Sequence, residues 1–156
     1  MSFGEVRRLV GAEGASIVAL VQRTLPDTWS DLAILAEAHR EDARVWGLYT
    51  GGALVGFALV RVVLEEAELL LFGVEAARRR EGLGRGLFEA VVDALAAEEC
   101  SVIHLEVRAA NLAAQRFYQA LGFEEVGRRR AYYHSPSDDA VLMRRALGGP
   151  TSQRGW

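Results

Sequence analysis

The sequence predicts a mixed α/β fold, an α+β arrangement in which helices cover the faces of a single sheet. Three observations predict it. An apolar strand (67–74), an amphipathic helix from Leu83 and a second apolar strand (101–107) follow one another. Such a unit returns its second strand parallel to the first through a right-handed crossover. Two strand-like runs flank Gly51-Gly52 as an antiparallel hairpin, and two more close the chain around a Ser-Pro-Ser-Asp loop.

The elements follow in order. Residues 11–23 and 30–42 carry helical patterning; Pro26 breaks the first, and Ser30 is placed to cap the second. "RVWGLYT" and "ALVGFALVRVV" form the hairpin. "AELLLFGV" (67–74) is apolar on both faces, so a buried strand is expected. Leu83, Leu87, Phe88, Val91, Val92 and Leu95 recur at helical spacing, with Glu89, Asp93 and Glu98 on the other side. "SVIHLEV" (101–107) is the next strand. Asn111 then caps a helix running to Leu121, with Gly122 as its C′ residue. "FEEVGRRRAYY" and "AVLMRR" are the last two strands.

A chain of 156 residues suits one domain, expected over 1–147, with a glycine-rich and polar tail at 148–156. Net charge is -3, so any basic footprint is local rather than general. All 18 basic residues are arginine. The absence of lysine excludes a Walker A loop, a kinase-type lysine and Schiff-base chemistry. The single Cys100 forms no internal disulfide, which fits a reducing compartment, and its acidic neighbours Glu98 and Glu99 disfavour a thiolate. The N-terminus lacks a secretory h-region, and no run approaches the roughly 18 apolar residues of a membrane span. A cytoplasmic location is expected. His39, His104 and His134 show no metal-ligand spacing, so no metal is expected.

Between the buried strand and the amphipathic helix lies "RRREGLGRG" (78–86). Glycine lets backbone approach a ligand, and the N–H groups that open a helix are unpaired and favour an anion. The stretch therefore reads as a pyrophosphate cradle, with Arg79, Arg80 and Arg85 at its rim. The dinucleotide fingerprint would need glycine where Leu87 stands. A plain helix entry with solvated arginines fits the same residues. Nucleic acid does not, for want of interleaved aromatics.

The strand, R-x-x-G-x-G-x-G and amphipathic helix together resemble the acetyl-CoA motif of the GNAT acetyltransferase superfamily. The stretch 104–133 is more specifically similar to RimI-type ribosomal-protein alanine N-acetyltransferases. It carries Leu105-Glu106-Val107-Arg108, Asn111, Tyr118, Leu121-Gly122-Phe123, Arg129 and Tyr132-Tyr133. The resemblance covers residues 45–145 and extends loosely to "LPDTWS". It implies a mostly antiparallel sheet in which one central parallel pair splays apart around the cofactor's arm. It also implies acetyl-CoA bound by Phe72, Gly73, Val74 and the loop residues Arg79, Arg80, Glu81, Gly82, Leu83, Gly84, Arg85 and Gly86, with Asn111 on the arm. Arg79 stands where glutamine is usual, and Gly86 where a small residue is common.

Glu106 is the candidate base. Alternation sets it opposite Ile103, Leu105 and Val107, and a carboxylate on a covered sheet is paired, wetted or functional. Pairing with Arg108 or Arg129 is the other reading. Tyr118 is the candidate acid; it lies nearly two turns after Asn111 and so shares its face. Core packing beside Phe117 and Leu121 is the alternative. The resemblance assigns the matching residues these roles. It further implies that Leu25, Pro26, Tyr132 and Tyr133 line a groove for a substrate N-terminus, with the Asp-Thr insertion before Trp29 altering one wall. The expected activity is transfer of acetyl from acetyl-CoA to a protein N-terminal amine, with ribosomal protein as partner and a monomer or weak homodimer as the working form. Acetylation of a small amine and a non-catalytic coenzyme A-binding module are the rival readings.

Overall fold

The computed structural model describes residues 4–25, 29–79, 81–134 and 137–147. Seven strands form one sheet: β1 (Glu5–Leu9), β2 (Ala43–Thr50), β3 (Ala53–Val63), β4 (Glu66–Val74), β5 (Val102–Arg108), β6 (Glu124–Tyr133) and β7 (Asp138–Ala146). Their order is β1-β2-β3-β4-β5-β7-β6. The β4–β5 pair alone is parallel among these neighbours. Four helices, α1 (Val18–Thr24), α2 (Asp31–Ala38), α3 (Leu83–Ala97) and α4 (Leu112–Ala120), complete the fold.

The predicted mixed sheet and its parallel crossover are present. Three details differ. Strand β1 was not foreseen, because only its Leu9 is buried and its Arg7 and Arg8 read as solvated surface. It is an edge strand whose partner, β2, supplies the pairing that its own side chains do not signal. The first predicted helix opens as a 3-10 turn over Gly11–Ile17 before α1. The second stops at Ala38, where His39 closes it.

Helix α3 buries the six apolar residues that its spacing singled out. They pack with β2–β5 and β7 in a core that also holds Leu121 and Phe123. A second core lies on the opposite face, where Ile17, Leu20, Val21 and Ile34 cover Val45, Phe57, Leu59 and Leu71. Fully burying one such side chain contributes about 1.5–3 kcal/mol. Phe88, at 0% exposure, is the largest α3 side chain in its layer, and truncating it to alanine should cost about 3–5 kcal/mol.

A bulge decides which residues of β4 face which layer. Leu59 pairs Leu71 while Val60 pairs Leu69, so Leu70 is the extra residue. Leu69 therefore belongs to the α3 layer and Leu71 to the α1–α2 layer. Beyond the bulge Phe72 and Val74 return to the α3 side.

Candidate active site

Strands β4 and β5 pair only at Glu66–Val102, Ala67–Ile103 and Glu68–His104. Past these positions they part, leaving the far end of β4 with a free edge. The Glu75 N–H donates to the Val55 carbonyl at 2.8 Å. By antiparallel alternation the backbone groups of Gly73 and Glu75 then turn to β3, and those of Phe72 and Val74 turn into the gap.

A cavity of about 620 Å3 opens at this gap. It gathers Phe72, Gly73, Val74, Arg79, Gly82, Gly84 and Arg85 from one side, Asn111 and Tyr118 from α4, and Leu25 from the end of α1. Gly82 precedes α3 with φ +77, a left-handed conformation that favours glycine. A Cβ on Gly86 would meet nothing within 4 Å, so the protein's own packing does not require that glycine. A Cβ on Gly73 would lie 2.8 Å from Phe57, so its smallness serves packing while its backbone lines the cavity. Glu81 pairs with Arg78 at 3.2 Å, and the Leu83 side chain is in the core. Only their backbone groups are left for an anion. Arg80 and Pro26 lie outside the described residues.

The charged groups around the loop are already tethered. Arg79 Nε donates to the Val74 carbonyl at 3.1 Å, across the free edge of β4. Arg78 Nη1 donates to Thr50 Oγ1 at 2.7 Å and Arg85 Nη2 to the Ala120 carbonyl at 3.4 Å. Arg78, Ala113, Ala114 and Phe117 also line the cavity, and the sequence reading omitted them. Ala114, three positions past Asn111, shares its face, and helical periodicity was the signal for it; Ala113 and Phe117, two and six positions past, lie off that face, and only the tertiary structure brings them here. Asn111 Oδ1 accepts from the Ala114 N–H at 3.0 Å as the α4 cap, which leaves its amide N–H groups for a ligand. Thr24 Oγ1 is buried without a hydrogen-bond partner among the described residues. The free strand edge, open glycine loop and unused amide form a donor set suited to an extended, amide-bearing chain that ends in phosphate.

Tyr118 packs edge-on against Phe117 and Phe123, with ring centroids at 5.2 and 5.5 Å. Burial pushes its hydroxyl far above the ordinary phenol value, so it remains a proton donor. Glu106 lies across the sheet. Leu105 and Val107 enter the α3 layer, and Glu106 faces the opposite way into a groove of about 450 Å3. Arg129 Nη2 is 3.7 Å from its carboxylate, an ion pair across a half-exposed site. Both members line the groove with His104 and Leu142. The pairing with Arg129 expected as an alternative to function is thus present, and it leaves the carboxylate accessible.

Tyr132 and Tyr133 meet edge-on at 5.2 Å at the end of β6. Arg129 lies over the first ring and Arg108 over the second, at 5.4 and 4.4 Å. The Tyr133 hydroxyl is held above its ordinary value by burial first and then by the charge of Glu106. The tyrosine pair and the candidate base thus belong to one neighbourhood. Cys100 is buried away from this cleft, and burial followed by the charge of Glu98 raises its thiol. No three His, Cys, Asp or Glu among the described residues come together as a metal site, and no helix among them is long and apolar enough to cross a membrane.

A parallel pair splayed over a glycine loop, with a helix cap and a tyrosine lining the gap, is the arrangement that the resemblance to acetyltransferases implies. The acetyltransferase (GNAT) family profile matches residues 15–123, and the chain belongs to that family. It is 41% identical over 124 residues to the [ribosomal protein bS18]-alanine N-acetyltransferase of Escherichia coli (strain K12), covering 78% of this chain and 83% of that one. It is 36% identical over 129 residues to the N-alpha-acetyltransferase RimI of Mycobacterium tuberculosis (strain ATCC 25618 / H37Rv), covering 80% of each. The crystal structure of the ribosomal-protein-S18-alanine N-acetyltransferase from Escherichia coli superimposes with a TM-score of 0.84 at 32% identity, over 93% of this chain and 94% of that one. The chain is an acetyl-CoA-dependent N-acetyltransferase.

Proposed function

We propose that this enzyme acetylates the α-amine of a protein N-terminus, and that its substrate is the N-terminal alanine of a small-subunit ribosomal protein. The observations that carry the reading are a cavity where β4 and β5 part and, on the other face of the sheet, a groove that holds Glu106. One has cofactor-type donors and Tyr118; the other has Glu106 beside the tyrosine pair. The relatives named for alanine N-acetylation supply the substrate class.

In this reading Phe72 and Val74 bond the pantetheine arm as an added strand would. The N–H groups from Gly82 to Arg85, ahead of the first intrahelical bond from Gly86 to the Gly82 carbonyl, take the pyrophosphate, with the guanidinium groups of Arg79 and Arg85 nearby and Arg80 as a further candidate from the sequence. The bound thioester supplies an activated acyl group, so no covalent enzyme intermediate is needed. An α-amine has a pKa of about 8 and is mostly protonated at neutral pH. Glu106 takes that proton, directly or through water, and the freed amine attacks the acyl carbon. The Val74 N–H faces the oxygen that gains charge. As the C–S bond breaks, Tyr118 donates its hydroxyl proton to the departing sulfur, the nitrogen gives up its second proton to water, and solvent returns a proton to Tyr118, leaving amide and free thiol. Tyr132 and Tyr133 line the path of the incoming chain; Leu25 lines the cofactor-side cavity, and Pro26 is kept as a candidate from the sequence alone. The enzyme works in the cytoplasm as a monomer or weak homodimer, within a single 1–147 domain followed by a tail.

The test is incubation with acetyl-CoA and the N-terminal peptide of that ribosomal protein, read by thiol release and mass spectrometry. A mass gain on the α-amine supports the proposal. Acetylation of small amines in preference to every peptide would overturn it.

A further inference from the structure

The tyrosine pair sits on an irregular piece of β6. Arg129 pairs Ala140 and Tyr133 pairs Asp138, so residues 130–132 stand opposite Asp139 alone. Within this bulge Ala131 adopts φ +47, a left-handed conformation that a residue with a Cβ rarely enters. Such a conformation persists only where its surroundings hold it. The holding contact is specific: the Ala131 N–H donates to Asp139 Oδ1 at 2.8 Å. Hydrogen bonds to a carboxylate are stronger than neutral ones.

The same two aspartates reach the cofactor side. The Ala110 N–H donates to Asp138 Oδ2 at 3.0 Å, one residue before the α4 cap Asn111. The Ala109 N–H donates to the Asp139 carbonyl at 2.9 Å. Asp138 Oδ1 also accepts from the Asp139 N–H at 2.8 Å, which orients the first carboxylate on the second residue's backbone. The loop leading to Asn111 is gripped from its other side by Gln115 Nε2, which donates to the carbonyls of Arg108 and Ala109.

We propose that Asp138 and Asp139 are positioning residues for N-terminal peptide substrates. They form a clasp that holds the Tyr132–Tyr133 bulge in register with the loop carrying Asn111. Asp139 sets the bulge, and Asp138 ties it to the cofactor loop. The inference rests on the reading above that the tyrosine pair lines the peptide groove. It assigns the shape of that wall to two carboxylates that touch no reacting atom.

Kinetics of acetyl transfer to peptide, with hydrogen exchange at the Ala131 amide, test it. Asp139→Ala should raise the peptide KM roughly tenfold while the acetyl-CoA KM changes by less than about twofold. Exchange at Ala131 should quicken by a similar factor. Asp139→Asn keeps an oxygen acceptor and should recover most of both. Asp138→Ala should raise both KM values, because it releases the Asn111 loop as well. If Asp139→Ala does not fold, the double variant with Ala131→Gly, which relieves the left-handed strain, should show the same KM split. Equal rises in both KM values for Asp139→Ala, failure of Asp139→Asn to rescue, or unchanged exchange at Ala131 would each overturn the clasp. Should the parent chain acetylate no peptide, the functional proposal falls, and the exchange comparison still decides the clasp.

Discussion

In the cavity at the splayed strands, most of the lining comes from one continuous stretch, 72–85. It offers backbone: the edge of β4 at Phe72 and Val74, where Arg79 already reaches the Val74 carbonyl, and the N–H groups that open α3. On the other face of the sheet, around the Glu106 groove, the groups are side chains. Glu106 comes from β5, Arg129 and the tyrosine pair from β6, and the aspartates that shape the bulge from β7. Under the proposed function the contrast follows from the ligands. Every acetyl-CoA is the same molecule, so a fixed backbone cradle suffices. A protein N-terminus varies in its residues, and walls of side chains can be retuned without disturbing the sheet.

Five substitutions and one change of pH probe that contrast, with the chemical groups expected to weigh most. Glu106→Gln and Tyr118→Phe should each lower kcat roughly a hundred- to ten-thousandfold while acetyl-CoA affinity stays near the parent's, measured by steady-state kinetics and calorimetry. If either variant retains full kcat, that residue is not the proton carrier. On the cofactor side, Gly82→Ala forces a Cβ into φ +77 and should cost about 1–2 kcal/mol in thermal unfolding. It should also weaken acetyl-CoA binding while sparing the peptide KM. A rise in the peptide KM alone would contradict the division of labour.

Arg108→Ala removes the guanidinium from Tyr133 and its hydrogen bond to the His134 carbonyl. A cation–π contact is worth about 0.5–2 kcal/mol, so the peptide KM should rise several-fold, with acetyl-CoA affinity unaltered. The alkaline limb of stability reports on Tyr118. Folding holds its proton more tightly than the unfolded chain does, so this contribution is complete below the ordinary phenol value of about 10 and is lost as pH rises through the higher folded value. Urea midpoints measured at about pH 9 and about pH 11 should fall, and should fall less in Tyr118→Phe. Smallest is Arg129→Ala. The pair with Glu106 is half exposed, and such pairs contribute about 0.2–1 kcal/mol, so the effect on kcat/KM should be less than about fivefold and should shrink in salt.

The asymmetry between the two sides also explains what could be read in advance. Helix α3 was legible because six apolar residues at helical spacing are a local signal, and all six are buried. The Asn111 cap and the left-handed Gly122 are likewise local and stand where expected. Strand β1 escaped notice because an edge strand with one buried side chain owes its form to its neighbour. The shift of Leu71 to the α1–α2 layer escaped for a related reason. In "ELLLFGV" every leucine suits either face, and only pairing with β3 places the extra residue at Leu70.

The amino-acid sequence by itself determined the class of fold, the glycine loop ahead of α3, and Glu106 and Tyr118 as the candidates for acid and base work. These depend on contiguous patterns, and local backbone chemistry acts over one or two turns. The tertiary structure alone decided where β4 and β5 part, on which sides of the sheet Glu106 and Tyr118 stand, and that Asp138 and Asp139 join the tyrosine bulge to the Asn111 loop. Those facts rest on register and on contacts between distant segments, and register is set by packing and pairing across the whole sheet.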